Sequence, residues 1–352
     1  MDDLAIIVVS TNEARWLRPC LSTLSGRIGD ISVDVVIADN ESTDGTRELV
    51  EQEFPHVRVV TCENRGFAHA NNRALMTTDA RYVVFLNPDT EIREGLFSDL
   101  VARMDDASEI GLAGVIQVMP DGSVFPTIRR FPNAARALGE ALGSERSPIR
   151  ASWLGERELD LEKYERETPC DWTSGSFMIA RREALQSAGY LDERFFLYSE
   201  ETDLCLRIKK AGWEIRHLPT MTVLHHASKA GANAKLASQD AFARKLYGRK
   251  HFSPLHRISY LGALGLGYAL RAVAPGRDRA WARARRSASR AALATLIGRA
   301  GSPFGPPPTV AVAPEGGAAP APDAAKAAVG SADRREHAAR PAPSEHVPRP
   351  VD

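Results

Sequence analysis

The sequence predicts an α/β fold on a mostly parallel central sheet, and three observations carry that prediction. Short β-branched apolar runs alternate with helical periods from Leu4 to Met104. The runs are apolar without a polar alternate face, as in strands buried on both sides. Each run also stops abruptly in Asp, Asn, Ser, Thr or Gly, the punctuation of a strand feeding a loop.

Leu4 to Ser10 is the first strand, and Asn12 to Leu24 follows as a helix. The rhythm repeats with Val33–Asp39 before Thr46–Phe54, Val57–Thr61 before Phe67–Met76, and Tyr82–Leu86 before Gly95–Met104. Gly111–Val118 reads as another strand, Ser123–Glu167 as irregular with a few short helices, and Trp172–Ala180 as strand around Gly175. Asp203–Lys210 is a helix closed by Gly212. Ile215–Leu218 and Met221–Leu224 are expected as two short strands, and Gln239–His251 opens a basic helical region. In open α/β sheets ligands bind beyond the carboxyl ends of the strands, so the segments after Ser10, Asp39, Thr61 and Leu86 should line one crevice.

Charge divides the 352-residue chain, although its 45 basic and 45 acidic residues cancel. Arg244 to Arg299 holds 13 Lys or Arg against the single acid Asp278, whereas the residues before Arg244 carry a net −11. An acidic body argues against a nucleic-acid partner, and the basic stretch suits an anionic membrane surface. Its apolar part, Leu255–Arg271, and its arginine-rich part, Arg277–Arg299, read as a basic amphipathic segment lying on a surface, the alternative being a solvated helical pair covering the core. From Gly301 the chain is rich in Ala, Pro and Gly with one aromatic, Phe304, and is expected to be disordered. The expected organisation is a catalytic domain over 1–243, with halves meeting near 120, a basic helical region over 244–300 and a tail over 301–352.

Four separated cysteines without a CxxC pair point to a reduced, cytosolic compartment. The start Met1-Asp2-Asp3-Leu4 lacks a positive signal-peptide region, and no apolar run reaches the roughly 18 residues of a membrane span. No GxGxxG or GxxxxGK[ST] occurs, which removes the dinucleotide and P-loop classes.

Candidate chemistry lies in the polar segments at strand ends. Asp39-Asn40-Glu41-Ser42-Thr43-Asp44-Gly45 is a turn and helix start, or a loop whose Asp39 accepts the N3–H of a pyrimidine. Asn64-Arg65-Gly66-Phe67 lets backbone approach a ligand at a helix start. Asn87-Pro88-Asp89-Thr90 is turn punctuation, or an oxygen-rich site for Mg²⁺ or Mn²⁺ with phosphate. Glu200-Glu201-Thr202-Asp203 places acids in a first helical turn behind a candidate Ser199 cap, where acids serve the helix dipole or, beside Phe195-Phe196-Leu197-Tyr198, a base. His225 and His226 end a strand, and adjacent strand residues face opposite sides, so at most one reaches the crevice.

Taken in order, Val8-Val9-Ser10-Thr11-Asn12, the Asp39–Gly45 cluster, Asn64-Arg65-Gly66-Phe67, Asn87-Pro88-Asp89-Thr90, Gly175-Ser176-Phe177-Met178 and the Glu200–Arg207 run resemble glycosyltransferase family 2. The likeness spans Leu4 to Ser228 and is greatest for the bacterial rhamnosyltransferase-like branch. It implies a GT-A, Rossmann-like fold and an inverting, metal-dependent transfer of a sugar from a nucleoside diphosphate to an acceptor hydroxyl. Thr11, Asp39, Gly66, Asn71, Asn87 and Asp89 would bind the donor, with Asp89 and His225 holding Mg²⁺ or Mn²⁺. Asn87 stands where relatives carry the first Asp of a DxD-type motif, which leaves one carboxylate at the metal. Glu201 falls at the family's base position, with Asp203 as second candidate and Glu200 beside them.

By that resemblance the donor is dTDP-rhamnose and the acceptor a glycan or lipid-linked glycan of the cell envelope, met in the cytoplasm or at the inner face of the membrane. A galactofuranosyl- or N-acetylglucosaminyltransferase using a uridine diphosphate sugar, and a non-catalytic nucleotide-sugar-binding relative, are the alternatives.

Overall fold

The computed structural model describes residues 1–144, 154–227, 233–275 and 278–306. Its first half is a strand–helix alternation: β1 (Leu4–Ser10), α1 (Ala14–Leu24), β2 (Val33–Asn40), α2 (Thr46–Glu53), β3 (Arg58–Cys62), α3 (Phe67–Leu75) and β4 (Tyr82–Leu86). Then come β5 (Thr90–Glu94), α4 (Phe97–Asp106), β6 (Ile110–Val118) and α5 (Ala134–Ala141). The second half holds β7 (Thr168–Pro169), β8 (Phe177–Arg181), α6 (Arg182–Ala188), α7 (Glu200–Lys210) and β9 (Glu214–His225). Three long helices close the described chain: α8 (Ala234–His251), α9 (Pro254–Val273) and α10 (Arg279–Leu296).

The nine strands form one sheet in the order β3-β2-β1-β4-β8-β6-β9-β5, with β7 on β9. β1 to β4 are mutually parallel, β6 and β9 are parallel to each other, and β8 joins the two groups antiparallel to both β4 and β6. Every residue of β1 is buried, as its apolar run predicts. Leu4, Ile6 and Val8 pack under α1 and α4, whereas Ile7 and Val9 pack against α3 and α7, so helices cover both faces.

Local pattern missed β5 and α6 and divided β9 in two. β5 carries only two buried residues, Thr90 and Ile92, between charged neighbours, and its alternation is too short to stand out from the preceding turn. β5 leaves β4 and crosses to pair antiparallel with β9 at the opposite edge, which curls the sheet. α6 follows β8 without a break, so it carries no separate start signal. The two short strands expected around Pro219 are one, β9; proline lacks a donor, and the β6–β9 register shifts between His217 and Thr222 instead of ending there.

α5, α8, α9 and α10 build a separate cluster around Ala137, Ala241, Tyr260, Leu264, Tyr268 and Leu296. Beyond α10 the tail was expected to be disordered from Gly301, yet Phe304 stacks on Phe196 at 4.3 Å between ring centroids. Ser302 Oγ donates to Gln239 Oε1 at 3.0 Å, and Gln239 Nε2 donates to the Leu197 carbonyl at 3.1 Å. One aromatic ring with a ready partner suffices to seat this short stretch; the remainder of the expected tail, from residue 307, lies outside the described residues. All four cysteines are buried thiols. Among the described residues no helix is long and apolar enough to cross a membrane.

Candidate active site

The carboxyl ends of β1, β2 and β3 are tied together by side-chain amides. Asn40 Nδ2 donates to Thr11 Oγ1 at 3.3 Å and to Asn64 Oδ1 at 2.9 Å, joining the three loops. Asn12 and Glu41 both hold positive φ, and Asn12 Oδ1 accepts the Thr43 backbone N–H at 2.7 Å, so the first two loops fold as one unit. Asp39 is buried at the end of β2, where one carboxylate oxygen accepts the Ser42 N–H at 3.1 Å.

The third loop approaches a distant segment. Gly66 has φ +102° and ψ 177°, a combination reserved for glycine, and a Cβ there would stand 2.2 Å from the Phe196 carbonyl oxygen. That carbonyl accepts the Phe67 N–H at 2.8 Å, so the start of α3 is fastened to the segment leading into α7. Asn71 is fully buried; its Nδ2 donates to the Phe67 carbonyl at 2.9 Å, and its Oδ1 has no protein partner. Asn72 and His69 continue the seam: both bond Glu193, His69 Nδ1 at 2.8 Å and Asn72 Nδ2 at 3.1 Å.

The turn between β4 and β5 carries Asn87 and Asp89. The Asn87 N–H donates to the Ser176 carbonyl at 3.0 Å, which sets the turn beside the residues entering β8. Because β5 pairs with β9 in a register that sets Thr90 opposite His225, His225 Nε2 comes within 3.6 Å of Asp89 Oδ1. Both side chains are buried. Burial pushes the His225 pKa below its ordinary value despite the Asp89 carboxylate, favouring the neutral imidazole that binds metals. His226 turns the other way: its Nε2 meets Glu91 at 2.7 Å and its ring lies 4.5 Å from Trp16.

A hard divalent cation fits this pair. One carboxylate and one neutral imidazole converge, and His225 Nδ1 is a buried polar atom without a protein partner. Among the described residues no group of three or more His, Cys, Asp or Glu could enclose an ion, so water and phosphate oxygens would complete the shell.

α7 separates its three acids. Tyr198 and Ser199 precede it with φ of 70° and 65°, consecutive left-handed non-glycine residues of the kind that store strain at functional sites. Ser199 makes no side-chain cap, contrary to expectation, because its backbone lies in that left-handed region. Glu201 lies against Gly175, where a Cβ would meet its side chain at 3.7 Å. Gly175 precedes Ser176, whose carbonyl bonds the Asn87 N–H, so one segment touches both Glu201 and the Asn87–Asp89 turn. Burial raises the Glu201 pKa, opposed by the nearby Arg129 charge; Glu200 is raised well above the ordinary value by burial and by Glu201. Glu200 and Glu201 each keep one buried carboxylate oxygen without a partner.

Asp203 is different. It is 0% exposed and meets His251 Nε2 at 2.6 Å, Lys250 Nζ at 2.7 Å and Arg207 Nε at 2.8 Å. Although burial works in the opposite direction, the His251 hydrogen bond and the Arg207 and Lys250 charges hold its pKa below the ordinary value. The expectation of Asp203 as a second base meets a carboxylate already engaged by two cationic side chains, Lys250 and Arg207, and by the His251 ring.

Sequence reading also passed over Phe125 and Arg129, which lie in the irregular segment after β6. The Phe125 ring packs edge-on to His225 at 5.3 Å, and the Arg129 guanidinium lies 5.9 Å from Phe125 and 5.4 Å from Trp172. A half-buried arginine among aromatics follows no spacing rule, so no local signal marks it.

Three comparisons bear on this arrangement. The sequence model of the family described as "Glycosyl transferase family 2" matches residues 5–188. An N-acetylglucosaminyl-diphospho-decaprenol L-rhamnosyltransferase of Mycobacterium tuberculosis is 35% identical over 240 residues, 64% of this chain and 76% of the relative. The rhamnosyltransferase WbbL of Escherichia coli is 24% identical over 236 residues, 63% of this chain and 83% of the relative. Among solved structures, the mannosyltransferase PcManGT from Pyrobaculum calidifontis, in complex with GDP-Man and Mn²⁺, aligns with a TM-score of 0.51 at 17% identity. That alignment covers 84% of this chain and 86% of the other, and it shows a shared GT-A-like fold.

Proposed function

Because the chain belongs to glycosyl transferase family 2, we propose that it is an inverting, metal-supported hexosyltransferase moving rhamnose from deoxythymidine diphosphate onto a hydroxyl of a lipid-linked glycan. The observation carrying this reading is that the Gly175–Ser176 segment touches both Glu201, a raised and partly unsatisfied carboxylate, and the turn that holds Asp89 beside His225. The rhamnose assignment rests on the named activities of both bacterial relatives, and the lipid-linked acceptor on that of the mycobacterial one alone.

In this reading Asp39 accepts the N3–H of the pyrimidine, with the tied Thr11–Asn40–Asn64 loops shaping its surroundings. Gly66 keeps the donor segment against the backbone of the second half, and Asn71 lies within that segment, its Nδ2 bonded to the Phe67 carbonyl. Asp89 and His225 would hold a divalent cation, which when bound would supply positive charge beside the diphosphate. Glu201 takes the proton of the acceptor hydroxyl as that oxygen bonds the anomeric carbon; the bond to the diphosphate breaks on the opposite face, and the nucleoside diphosphate leaves with the electron pair. One displacement inverts the centre. Asp203 holds α7 against α8, so that Glu201 is fixed in place.

Transfer assays with dTDP-rhamnose and uridine diphosphate sugars, using an N-acetylglucosaminyl-diphospho-polyprenol of short chain as acceptor, test the reading. Product only with dTDP-rhamnose supports it. Product only with a uridine diphosphate sugar shifts the donor to the galactofuranosyl or N-acetylglucosaminyl alternative, and nucleotide-sugar binding without turnover favours a non-catalytic relative.

A further inference from the structure

We propose that the outer face of α9, with the adjoining ends of α5 and α10, docks on a leaflet of anionic phospholipid. This deepens the lipid-linked acceptor reading, on which it rests for its purpose but not for its physical evidence.

Among the described residues twelve large apolar side chains are exposed, and nine of them lie on α5, α9, α10 or their caps. Along α9 the exposed large apolar side chains are Leu255 (78%), Ile258 (67%), Leu266, Leu270 and Val273 (75%). Steps of three, four and eight residues place these on one side of a helix, a stripe roughly 27 Å long at 1.5 Å per residue. The stripe is not spillover from the core, because Tyr260, Leu264 and Tyr268 fill the opposite face and pack into the helical cluster. α5 widens it: a Cβ on Gly267 of α9 would meet Ala141 of α5 at 3.2 Å, and Leu138 and Leu142 of α5 are exposed. An apolar area this concentrated on one side of a protein marks a contact surface.

Charge selects the occupant. Neither α9 nor α10 contains an Asp or Glu, and α10 exposes Arg279, Arg283 and Arg290. Asp278, the one acid of this region, is spent on the cap of α10, accepting from the Ala280 and Trp281 N–H groups. Exposed Trp281, with the Arg285 guanidinium 4.7 Å from its ring, offers an amphipathic ring beside cationic groups, the pairing suited to a headgroup layer. A second copy across a two-fold axis would set arginines against arginines. A lipid surface supplies phosphates for the arginines and acyl chains for the stripe. Since no described helix can cross a bilayer, α9 lies in the interface and does not span it.

Co-sedimentation of the full chain tests this, with vesicles of phosphatidylcholine alone or mixed with phosphatidylglycerol and with no acceptor lipid present. The full chain is expected to pellet with the anionic vesicles and to stay in solution with the neutral ones. Leu255→Ser/Ile258→Ser/Val273→Ser should weaken anionic-vesicle binding by at least about tenfold. Arg279→Gln/Arg283→Gln/Arg290→Gln should weaken it by about fivefold per arginine and flatten its salt dependence. Circular dichroism and transfer to a short-chain, micelle-free acceptor should match the unaltered chain in both variants. Undiminished vesicle binding by the serine variant, or a dimer in solution that the serine variant dissolves, overturns the proposal. Absence of transfer by the unaltered chain overturns the activity reading and leaves the vesicle result standing.

Discussion

Glu200, Glu201 and Asp203 occupy one helical turn yet meet different surroundings, and those surroundings assign their roles. Glu201 must be ionised to accept a proton, and burial raises its pKa, so transfer should be lost as pH falls through a value above the ordinary glutamate range. A pH profile of kcat/KM measures this directly, and an acid limb at the ordinary glutamate position would remove the base assignment. Asp203 behaves oppositely. Its folded pKa is lowered, so its contribution to stability is present above the unfolded carboxylate value and is lost as pH falls through the folded value. Asp203→Asn leaves Arg207 without its buried counter-charge and Lys250 with Asp192 alone, and should cost roughly 3–5 kcal/mol of unfolding free energy in urea titration. A change within about 1 kcal/mol would show that the ion-pair cluster does not hold α7 to α8.

At the scale of elements, the site depends on two crossings of the sheet. Gly66 brings α3 against the Phe195–Tyr198 segment, in a conformation that only glycine adopts freely. Gly66→Ala should therefore destabilise the fold by at least about 1–3 kcal/mol in thermal or urea unfolding, and nucleotide affinity should fall with it. β5 makes the second crossing and carries Asp89 to His225. With nucleoside diphosphate present, Mn²⁺ should raise the melting temperature of the unaltered chain, and Asp89→Asn or His225→Ala should shrink that shift. An unchanged shift in both variants would place the cation elsewhere.

Across the whole molecule, what was legible in sequence is what neighbours in the chain decide. The runs of β1, β2 and β4 and the polar loops that follow them could be read directly, because a strand buried on both faces leaves no polar alternate and its end must satisfy backbone groups. β5 was illegible because an edge strand of five residues with two buried side chains differs little from a loop. The fate of Asp203 was illegible for another reason: its partners Lys250 and His251 lie at the far end of α8, more than forty residues later in the chain. Arg129 and Phe125 likewise gain meaning only when the segment after β6 folds back beside His225 and Trp172. Basic composition showed that the last helices differ from the body, but only their packing showed which face of α9 is left outward.

The claim that this geometry performs base-assisted sugar transfer is tested most directly by the turnover of Glu201→Gln, with donor affinity measured in parallel by calorimetry. The substitution keeps size and polarity and removes the proton acceptor, so turnover should fall by about 10²–10⁴-fold while nucleotide-sugar binding is preserved. Turnover within about threefold of the unaltered enzyme, at preserved donor affinity, would contradict it.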